Sequence, residues 1–231
     1  MNSKQPPKVK AQSIQVIAID GPAGAGKSTV AKRLAKTLKL SYLDTGAMYR
    51  AITLKALTNK VNLEDEDQLV ELAQKTKIDL IDHPEGLQIL LDGKDVTKAI
   101  RLPQVTQNVF YVAQEPLIRR EMVKKQRQMG KKGGAVMEVR DIGTVVFPAA
   151  DYKFYFVASK SVRAKRRHRD LLEAGKKIAV EKVLKDIVKR DKTDFNRKEG
   201  PLKRAKDAIR MDTSSLTIEQ TVDKILKITG R

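Results

Sequence analysis

The residues most able to do chemistry lie near the amino-terminal end, in the segment Gly21–Ser28, which reads GPAGAGKS. Its spacing matches G-x-x-x-x-G-K-[ST], a pattern typical of loops that hold nucleotide phosphates. Gly and Ala let the backbone approach phosphate oxygens and direct its N–H groups at them. The Lys27 ammonium can reach the outer phosphates, and the Ser28 hydroxyl can hold Mg²⁺. The segment therefore predicts a site for a nucleoside triphosphate and its Mg²⁺ ion.

The residues on either side of this loop are those that such a site requires. A compact apolar run, Ile14–Asp20, precedes the loop and predicts a buried strand. Apolar residues at helical spacing follow it and predict a helix over 27–39. The loop alone does not distinguish a kinase from an ATPase or a GTPase. Asn59–Asn62 reads NKVN and lacks the Asp of a guanine-reading N-K-x-D motif, which argues against a GTPase.

A second motif, DTGAMYR at 44–50, follows a short predicted strand and opens a predicted helix. It offers the Thr45 hydroxyl, the amides of a helix end and the Arg50 guanidinium, a combination that suits another anion. A phosphotransferase needs a loop of this kind to hold a second phosphate. In isolation, the same motif is also compatible with a capped helix that carries a surface Arg.

Two further motifs complete a set of four. They are RDIGTVVFP at 140–148 and RDKTDFNR at 190–197, the latter followed by Pro201 and Leu202. In content, order and spacing the set resembles the bacterial-type cytidylate kinase family, over about residues 16–228. The resemblance implies transfer of the γ-phosphoryl group of ATP to CMP or dCMP. It also implies the α/β fold of a P-loop nucleoside monophosphate kinase: three layers with a parallel central sheet, a small antiparallel β insertion and a helical lid.

The resemblance implies roles for individual residues. ATP would lie on Gly21, Pro22, Ala23, Gly24, Ala25, Gly26, Lys27, Ser28 and Thr29, under lid arginines Arg163, Arg166 and Arg167. CMP would be held by Thr45, Arg50, Arg119, Arg140, Asp141, Arg190, Asp194 and Arg197. Catalysis would fall to Lys27, Arg140, Arg190 and Arg197. Within the CMP site, Arg119 and Asp141 would read the edge of cytosine. In the ATP site, Ser28 would hold Mg²⁺ through ATP.

The chemistry of these side chains supports the assignment independently. An acceptor phosphate is already a nucleophile, so the reaction needs positioning, Mg²⁺ and cationic clamps rather than a general base. Arg suits such clamps because its guanidinium binds phosphate oxygens in pairs. Asp141 offers an acceptor to the amine of cytosine, and uracil lacks that donor. Two residues depart from the family pattern, Val139 in place of Gly and Phe110 in place of Ser, and both bear on the nucleoside site.

The chain is predicted to form one kinase domain over 14–231, after a flexible leader at 1–13. Residues 45–125 would form the monophosphate-binding region, with a β insertion at about 77–98. The lid, at about 160–177, holds eight basic and two acidic side chains and is predicted to be mobile without ATP. Further strands are predicted at 40–43, 135–138, 154–157 and 209–211, and further helices at 46–57, 64–74, 160–174, 179–191 and 217–228.

Composition narrows the range of partners. The 231 residues contain 47 Lys and Arg against 28 Asp and Glu, and 31 of those cations follow residue 115. This excess predicts an anionic partner. Residues 119–132 are strongly basic but contain no aromatic residue for stacking on bases, so a nucleic-acid partner is not favoured. The absence of Cys excludes disulfides and thiolate chemistry.

No apolar run approaches the length of a membrane span, and the amino terminus lacks an apolar signal core. A cytoplasmic, monomeric enzyme with no membrane partner is therefore expected. Two alternatives stay open. The first is a kinase for another small acceptor, such as UMP, AMP or a shikimate-like compound. The second is a basic, nucleic-acid-binding ATPase.

Overall fold

A computed structural model describes residues 16–83, 86–131, 134–173 and 175–231, apart from the side chain of Asp82. The predicted leader at 1–13 lies outside these ranges. Among the described residues, no helix combines the length and apolar character that crossing a bilayer requires.

The centre of the molecule is a sheet of five parallel strands. These are β1 (Val16–Asp20), β2 (Ser41–Asp44), β6 (Ala135–Val139), β7 (Tyr152–Val157) and β8 (Ile209–Asp212). Their order across the sheet is β2-β6-β1-β7-β8, so β1 is the middle strand. Because all five run in the same direction, the segments that follow β1, β2 and β6 leave from one edge of the sheet. That edge therefore brings together the phosphate loop, the DTGAMYR motif and the RDIGTVVFP motif.

The helices account for the apolar character of the strands. They are α1 (Lys27–Leu38), α2 (Thr45–Thr58), α3 (Glu66–Gln74), α4 (Pro103–Gln114), α5 (Pro116–Gly130), α6 (Lys160–Glu173), α7 (Val180–Asn196) and α8 (Ile218–Thr229). On β1, Ile17 and Ile19 pack in one core cluster with α1 and α8. Val16 and Ala18 pack in a second cluster with α5. A sheet covered on both faces must be apolar on both, and this explains the continuous hydrophobic runs in its strands.

The region at 45–125, predicted to bind the monophosphate, has a core of its own. It packs α2 to α5 against the antiparallel strands β3 (Ile78–His83), β4 (Gly86–Leu91) and β5 (Lys94–Asp95). These strands confirm the β insertion expected at about 77–98. On the far side of the molecule, α6 packs against α7 through a small cluster centred on Ala164, Val183 and Ile187.

Among the described residues, two helices have no predicted range in the sequence: α4 and α5. α4 begins with Pro103 at its first turn, where a missing N–H costs nothing. Val105 and Val112 are its fully buried residues, and Val109 between them packs against the same core region at helical spacing. The remaining expected strands and helices are present, with ends that differ by a few residues. The fold is thus the α/β fold expected of a P-loop kinase.

Candidate active site

The phosphate loop has the backbone that its glycines allow. Gly21, Gly24 and Gly26 all have positive φ, at 149°, 76° and 86°. A Cβ at Gly21 would collide with the carbonyl oxygen of Phe156 on β7. Only glycine can therefore hold the start of the loop this close to the neighbouring strand. α1 then begins at Lys27 and adds its amino-terminal N–H groups to the loop.

Lys27 lies inside the loop and is only 5 % exposed. Its Nζ donates to the carbonyl oxygen of Pro22 at 2.9 Å. Burial, together with the positive charge of Arg140, lowers the pKa of Lys27 to about 7. An anion placed in the loop would therefore restore a charge that the protein by itself disfavours.

Glu138, near the end of β6, organises the entrance to the loop. Its Oε1 accepts a hydrogen bond from the Ser28 hydroxyl at 2.7 Å and one from the Tyr42 hydroxyl at 3.3 Å. Its backbone carbonyl accepts from the Thr45 hydroxyl at 3.3 Å. Glu138 thus joins the phosphate loop to the first residue of the DTGAMYR helix.

The hydroxyl of Ser28 and the carboxylate of Glu138 are the oxygen donors that Mg²⁺ prefers. No group of three or more His, Asp or Glu side chains that could hold a metal occurs in the described part of the chain. The donor set therefore fits an ion that takes most of its ligands from phosphate and water rather than from a protein cage.

Asp44 arranges the DTGAMYR motif. Its Oδ1 caps α2 by accepting from the Ala47 amide at 3.0 Å, and its Oδ2 pairs with Arg50 Nη2 at 2.8 Å. Burial opposes ionisation, but Arg50 and Arg101 outweigh it and hold the pKa of Asp44 below its usual value. Arg50 Nε is buried and has no hydrogen-bond partner among the residues that the structure describes. This atom is a donor that lacks an acceptor.

Asp194 holds two of the arginines predicted to be catalytic. Its Oδ2 lies 2.6 Å from Arg140 Nε and 4.0 Å from Arg190 Nε. Burial by itself would raise the pKa of Asp194, but the two arginines reverse that effect and lower it. Asp194 therefore stays ionised and keeps both guanidinium groups next to Lys27, whose pKa they help to lower.

Arg119 and Asp141, the predicted base-reading pair, are hydrogen-bonded to each other and buried. Arg119 also donates to the Ala113 carbonyl at 3.1 Å and lies over the ring of Tyr49, 5.5 Å from its centroid. Burial outweighs the nearby arginines and raises the pKa of Asp141. A Cβ at Gly200, where φ is +56°, would collide with both members of the pair. The segment after α7 thus covers the pair and requires glycine to do so.

Arg197 lies in that covering segment. Its Nη2 donates to the Gly200 carbonyl at 2.7 Å. Its Nε is buried and has no hydrogen-bond partner within the described ranges. Arg197 and Arg50 therefore share one property: a buried Nε–H that no oxygen in the described part of the chain accepts.

The three predicted lid arginines differ from one another. Arg163 is buried and pairs with Asp191 through contacts of 3.1 and 2.6 Å, and it donates to the Ala23 carbonyl of the phosphate loop at 3.0 Å. Arg166 donates to the hydroxyl and the carbonyl of Thr213, at 3.2 and 2.6 Å. Arg167 is exposed. In this conformation two of the cations expected to repel one another are held by acceptors, and mobility of the lid stays a prediction.

The two departures from the family pattern have different surroundings. Phe110 is 39 % exposed, and its ring centroid lies 3.9 Å from that of Tyr111. It is therefore a surface aromatic and not part of the core. Val139 is partly buried, and its Cγ2 lies 3.6 Å from where a Cβ on Gly46 would stand, at the start of α2.

Several residues that help to build this site were not assigned a role from the sequence, among them Asp20, Asp44, Glu138, Asp191 and Thr213. Asp20 and Glu138 lie at the carboxyl ends of buried strands, where acidic residues interrupt apolar runs, and that position is a usable sign of function. Asp191 and Thr213 carry no comparable sign, because their importance depends on the arginines that the fold brings to them.

Comparison with known proteins agrees with this geometry. The family model described as cytidylate kinase matches residues 17–231. The cytidylate kinase of Carboxydothermus hydrogenoformans is 50 % identical over 215 residues, which cover 93 % of this chain and 97 % of that protein. The cytidylate kinase of Bacillus subtilis is 48 % identical over 211 residues, which cover 91 % and 94 %. With a family model that matches residues 17–231 and relatives about half identical over nearly the whole chain, this chain belongs to the cytidylate kinase family.

Proposed function

We propose that this enzyme transfers the γ-phosphoryl group of ATP to CMP or dCMP and so forms ADP and CDP or dCDP. The observation that carries this proposal is the pair of buried N–H groups, on Arg50 and Arg197, that have no acceptor among the residues the structure describes. Leaving such donors unpaired costs free energy, and an acceptor phosphate would remove that cost. Both arginines lie outside the phosphate loop, Arg50 in the DTGAMYR motif and Arg197 in the RDKTDFNR motif. They therefore support a second, phosphorylated substrate.

The residues divide the reaction between them. ATP would lie on the phosphate loop, with its outer phosphates on Lys27. The acceptor phosphate would take donors from Arg50, Arg140 and Arg197, and Arg190 would stabilise the charge of the group in transfer. No general base is required, since the acceptor phosphate attacks as an anion. Asp194 would keep Arg140 and Arg190 oriented throughout, and Thr45 would line the acceptor side at the start of α2.

Mg²⁺ would be held beside ATP by Ser28, with Glu138 close enough to bind its water ligands. When bound, the ion supplies neutralisation of the charge on the β- and γ-phosphates. The protein's own contribution is to hold the Ser28 hydroxyl and the Glu138 carboxylate 2.7 Å apart before any substrate arrives.

Arg119 and Asp141 would select the base. Asp141 would accept a hydrogen bond from the amine of cytosine, and Arg119 would donate to the ring nitrogen and the carbonyl. Uracil presents a carbonyl where cytosine has the amine, so Asp141 would face an acceptor. The selectivity of the enzyme would then depend on keeping this pair fixed and charged.

The lid would complete the site. We expect residues 160–177 to close over ATP, with Arg167 joining Arg163 and Arg166 at the phosphates and water being excluded. Hydrogen exchange of the enzyme with and without ATP plus CMP measures this. Closure predicts slower exchange in that segment when both nucleotides are bound, and equal exchange in both states would argue against it.

The enzyme is further expected to act as a monomer in the cytoplasm. Its mass in solution, measured by light scattering, tests whether it is a monomer.

A coupled assay of ADP formation at fixed ATP and Mg²⁺ tests the function, with CMP, dCMP, UMP and AMP compared. The proposal predicts that CMP or dCMP gives the highest kcat/KM. A preference for UMP or AMP would refute the assignment of the base-reading pair. ATP hydrolysis that depends on added RNA or DNA and is indifferent to CMP would refute the kinase itself.

A further inference from the structure

Asp20 is a buried acid that none of the steps above uses. It is the last residue of β1 and is 5 % exposed. Its Oδ1 accepts from the Ile142 amide at 2.8 Å, and its Oδ2 accepts from the Gly143 amide at 2.7 Å. Each carboxylate oxygen thus accepts a hydrogen bond from one of two consecutive backbone N–H groups in the loop that follows β6.

Those two amides come directly after Asp141. They begin a single π-helical turn, Ile142–Val146, in which the Val146 amide donates to the Asp141 carbonyl at 3.2 Å and the Phe147 amide to the Ile142 carbonyl at 2.7 Å. A π turn is rare and needs support from its surroundings. On the outer side of the turn, Arg127 donates to the carbonyls of Val145 and Val146, at 2.8 Å each. Asp20 binds the first two amides of the turn, at the end nearer Asp141.

We propose that Asp20 is a positioning residue that holds Asp141 in register with the phosphate loop. Asp20 immediately precedes Gly21, and its carboxylate fixes the peptide groups that immediately follow Asp141. One residue therefore links the loop for ATP to the residue that reads cytosine. The inference rests on the proposed function, since it takes Asp141 as the reader of the base.

A purely structural role is the alternative, and the chain offers a matched control for it. At the opposite end of the same strand, Asp151 Oδ2 accepts from the Val16 amide at 2.9 Å. Replacing Asp151 by Asn disturbs a carboxylate–backbone hydrogen bond of β1 without touching the turn at 142–146. The same replacement at Asp20 keeps the side chain's shape, but one of the two N–H groups then faces an amide NH₂.

The experiment measures kcat and KM for CMP and for UMP, the KM for ATP and the Tm in the parent, Asp20→Asn and Asp151→Asn. Asp20→Ser, a smaller side chain that keeps one acceptor oxygen, guards against a folding failure of the first variant. Leaving one of these buried N–H groups without an acceptor predicts a fall of about tenfold in the CMP-to-UMP ratio of kcat/KM. The fall should appear mainly in the KM for CMP, in both Asp20 variants, while Asp151→Asn keeps the parent ratio.

Hydrogen exchange gives a readout that does not depend on activity. Asp20→Asn should speed exchange at the amides of Ile142 and Gly143, whereas Asp151→Asn should speed it at Val16. An unchanged CMP-to-UMP ratio in the Asp20 variants would overturn the inference, and so would an equal fall in Asp151→Asn. If Asp141→Asn lowers the ratio and the Asp20 variants do not, only the positioning role fails. If Asp141→Asn also leaves it unchanged, the placement of cytosine fails.

Discussion

The two phosphate-binding halves of the site satisfy their cations in opposite ways. On the ATP side, Lys27 donates to the Pro22 carbonyl, Arg163 to the Ala23 carbonyl and Asp191, and Arg166 to Thr213. On the acceptor side, Arg50 and Arg197 each keep a buried Nε–H without a protein acceptor in the described part of the chain. Cations are present on both sides, but among these cations the buried guanidinium N–H groups without an acceptor in the described residues belong to Arg50 and Arg197.

This contrast predicts how the protein responds when each substrate binds. ATP must replace oxygens that the protein itself supplies, two of them carbonyls of the phosphate loop. The acceptor phosphate meets donors that are already oriented by Asp44 and by Gly200 and that gain a partner only on binding. Preorganised donors of this kind strengthen an interaction without further ordering of the protein. Rearrangement is therefore expected on the ATP side, and a nearly preformed site on the acceptor side.

The largest expected effect is that of Lys27→Ala. Removing the cation that meets the transferring phosphates should lower kcat with CMP by about a hundredfold or more. The Tm should be unchanged or raised, since Lys27 is a buried charge that the fold disfavours. The exposed Lys32→Ala on the same helix serves as the control. A Lys27→Ala enzyme with most of the parent turnover would contradict the assignment of the phosphate loop.

Arg197→Ala tests the reserve donors of the acceptor side. Its KM for CMP should rise by about tenfold to a hundredfold, the cost of one hydrogen bond between charged groups. The KM for ATP should change little, because the contrast between the two sides assigns Arg197 to the acceptor. The exposed Arg204→Ala, from the same segment, is the matched control. A larger rise for ATP than for CMP would reverse the comparison.

Asp141→Asn tests base selection within the acceptor side. The amide removes the charge and presents a donor toward the amine of cytosine, so the CMP-to-UMP ratio of kcat/KM should fall by about tenfold or more. Steady-state kinetics with both nucleotides measures this, and dCMP should follow CMP. A ratio equal to that of the parent would show that Asp141 does not read the base.

The smallest expected effect is a proton taken up on the ATP side. In the free enzyme the pKa of Lys27 lies near 7 instead of its ordinary 10.5, so most Lys27 is neutral at pH 8. ATP phosphates favour the charged form, and binding at pH 8 should therefore take up as much as about one proton. Between pH 7 and pH 10 the affinity for ATP should fall as pH rises. Calorimetry in buffers of different ionisation enthalpy measures the uptake.

The same titration at pH 6 is the control for this effect, since Lys27 is already charged there and its contribution to uptake should disappear. Calorimetric titration with CMP should show no comparable uptake from Lys27 at pH 8. Equal uptake at the two pH values would mean that another group, not Lys27, carries the linkage.

Local patterns were enough to predict most of the fold. Strands buried on both faces are continuous apolar runs, and amphipathic helices repeat at 3.6 residues, so β1, α1 and α8 could be predicted from spacing alone. α4 was missed because it fully buries only two side chains, and its Thr106 and Asn108 have low helix propensity. The phosphate loop was equally predictable, since its function depends on backbone geometry that glycine at fixed positions allows.

Only the tertiary structure decided which charged side chains pair with one another. The sequence by itself determined the P-loop kinase fold, the ATP loop and, through four motifs, the family. It did not determine that Asp20 holds the amides after Asp141, that Asp194 is shared by Arg140 and Arg190, or that Arg163 is fixed by Asp191. Those partners are brought together by strand order and helix packing, across separations of up to 123 residues. A charged side chain carries no periodic pattern that names its partner, so only the folded chain shows which donors are satisfied and which await a substrate.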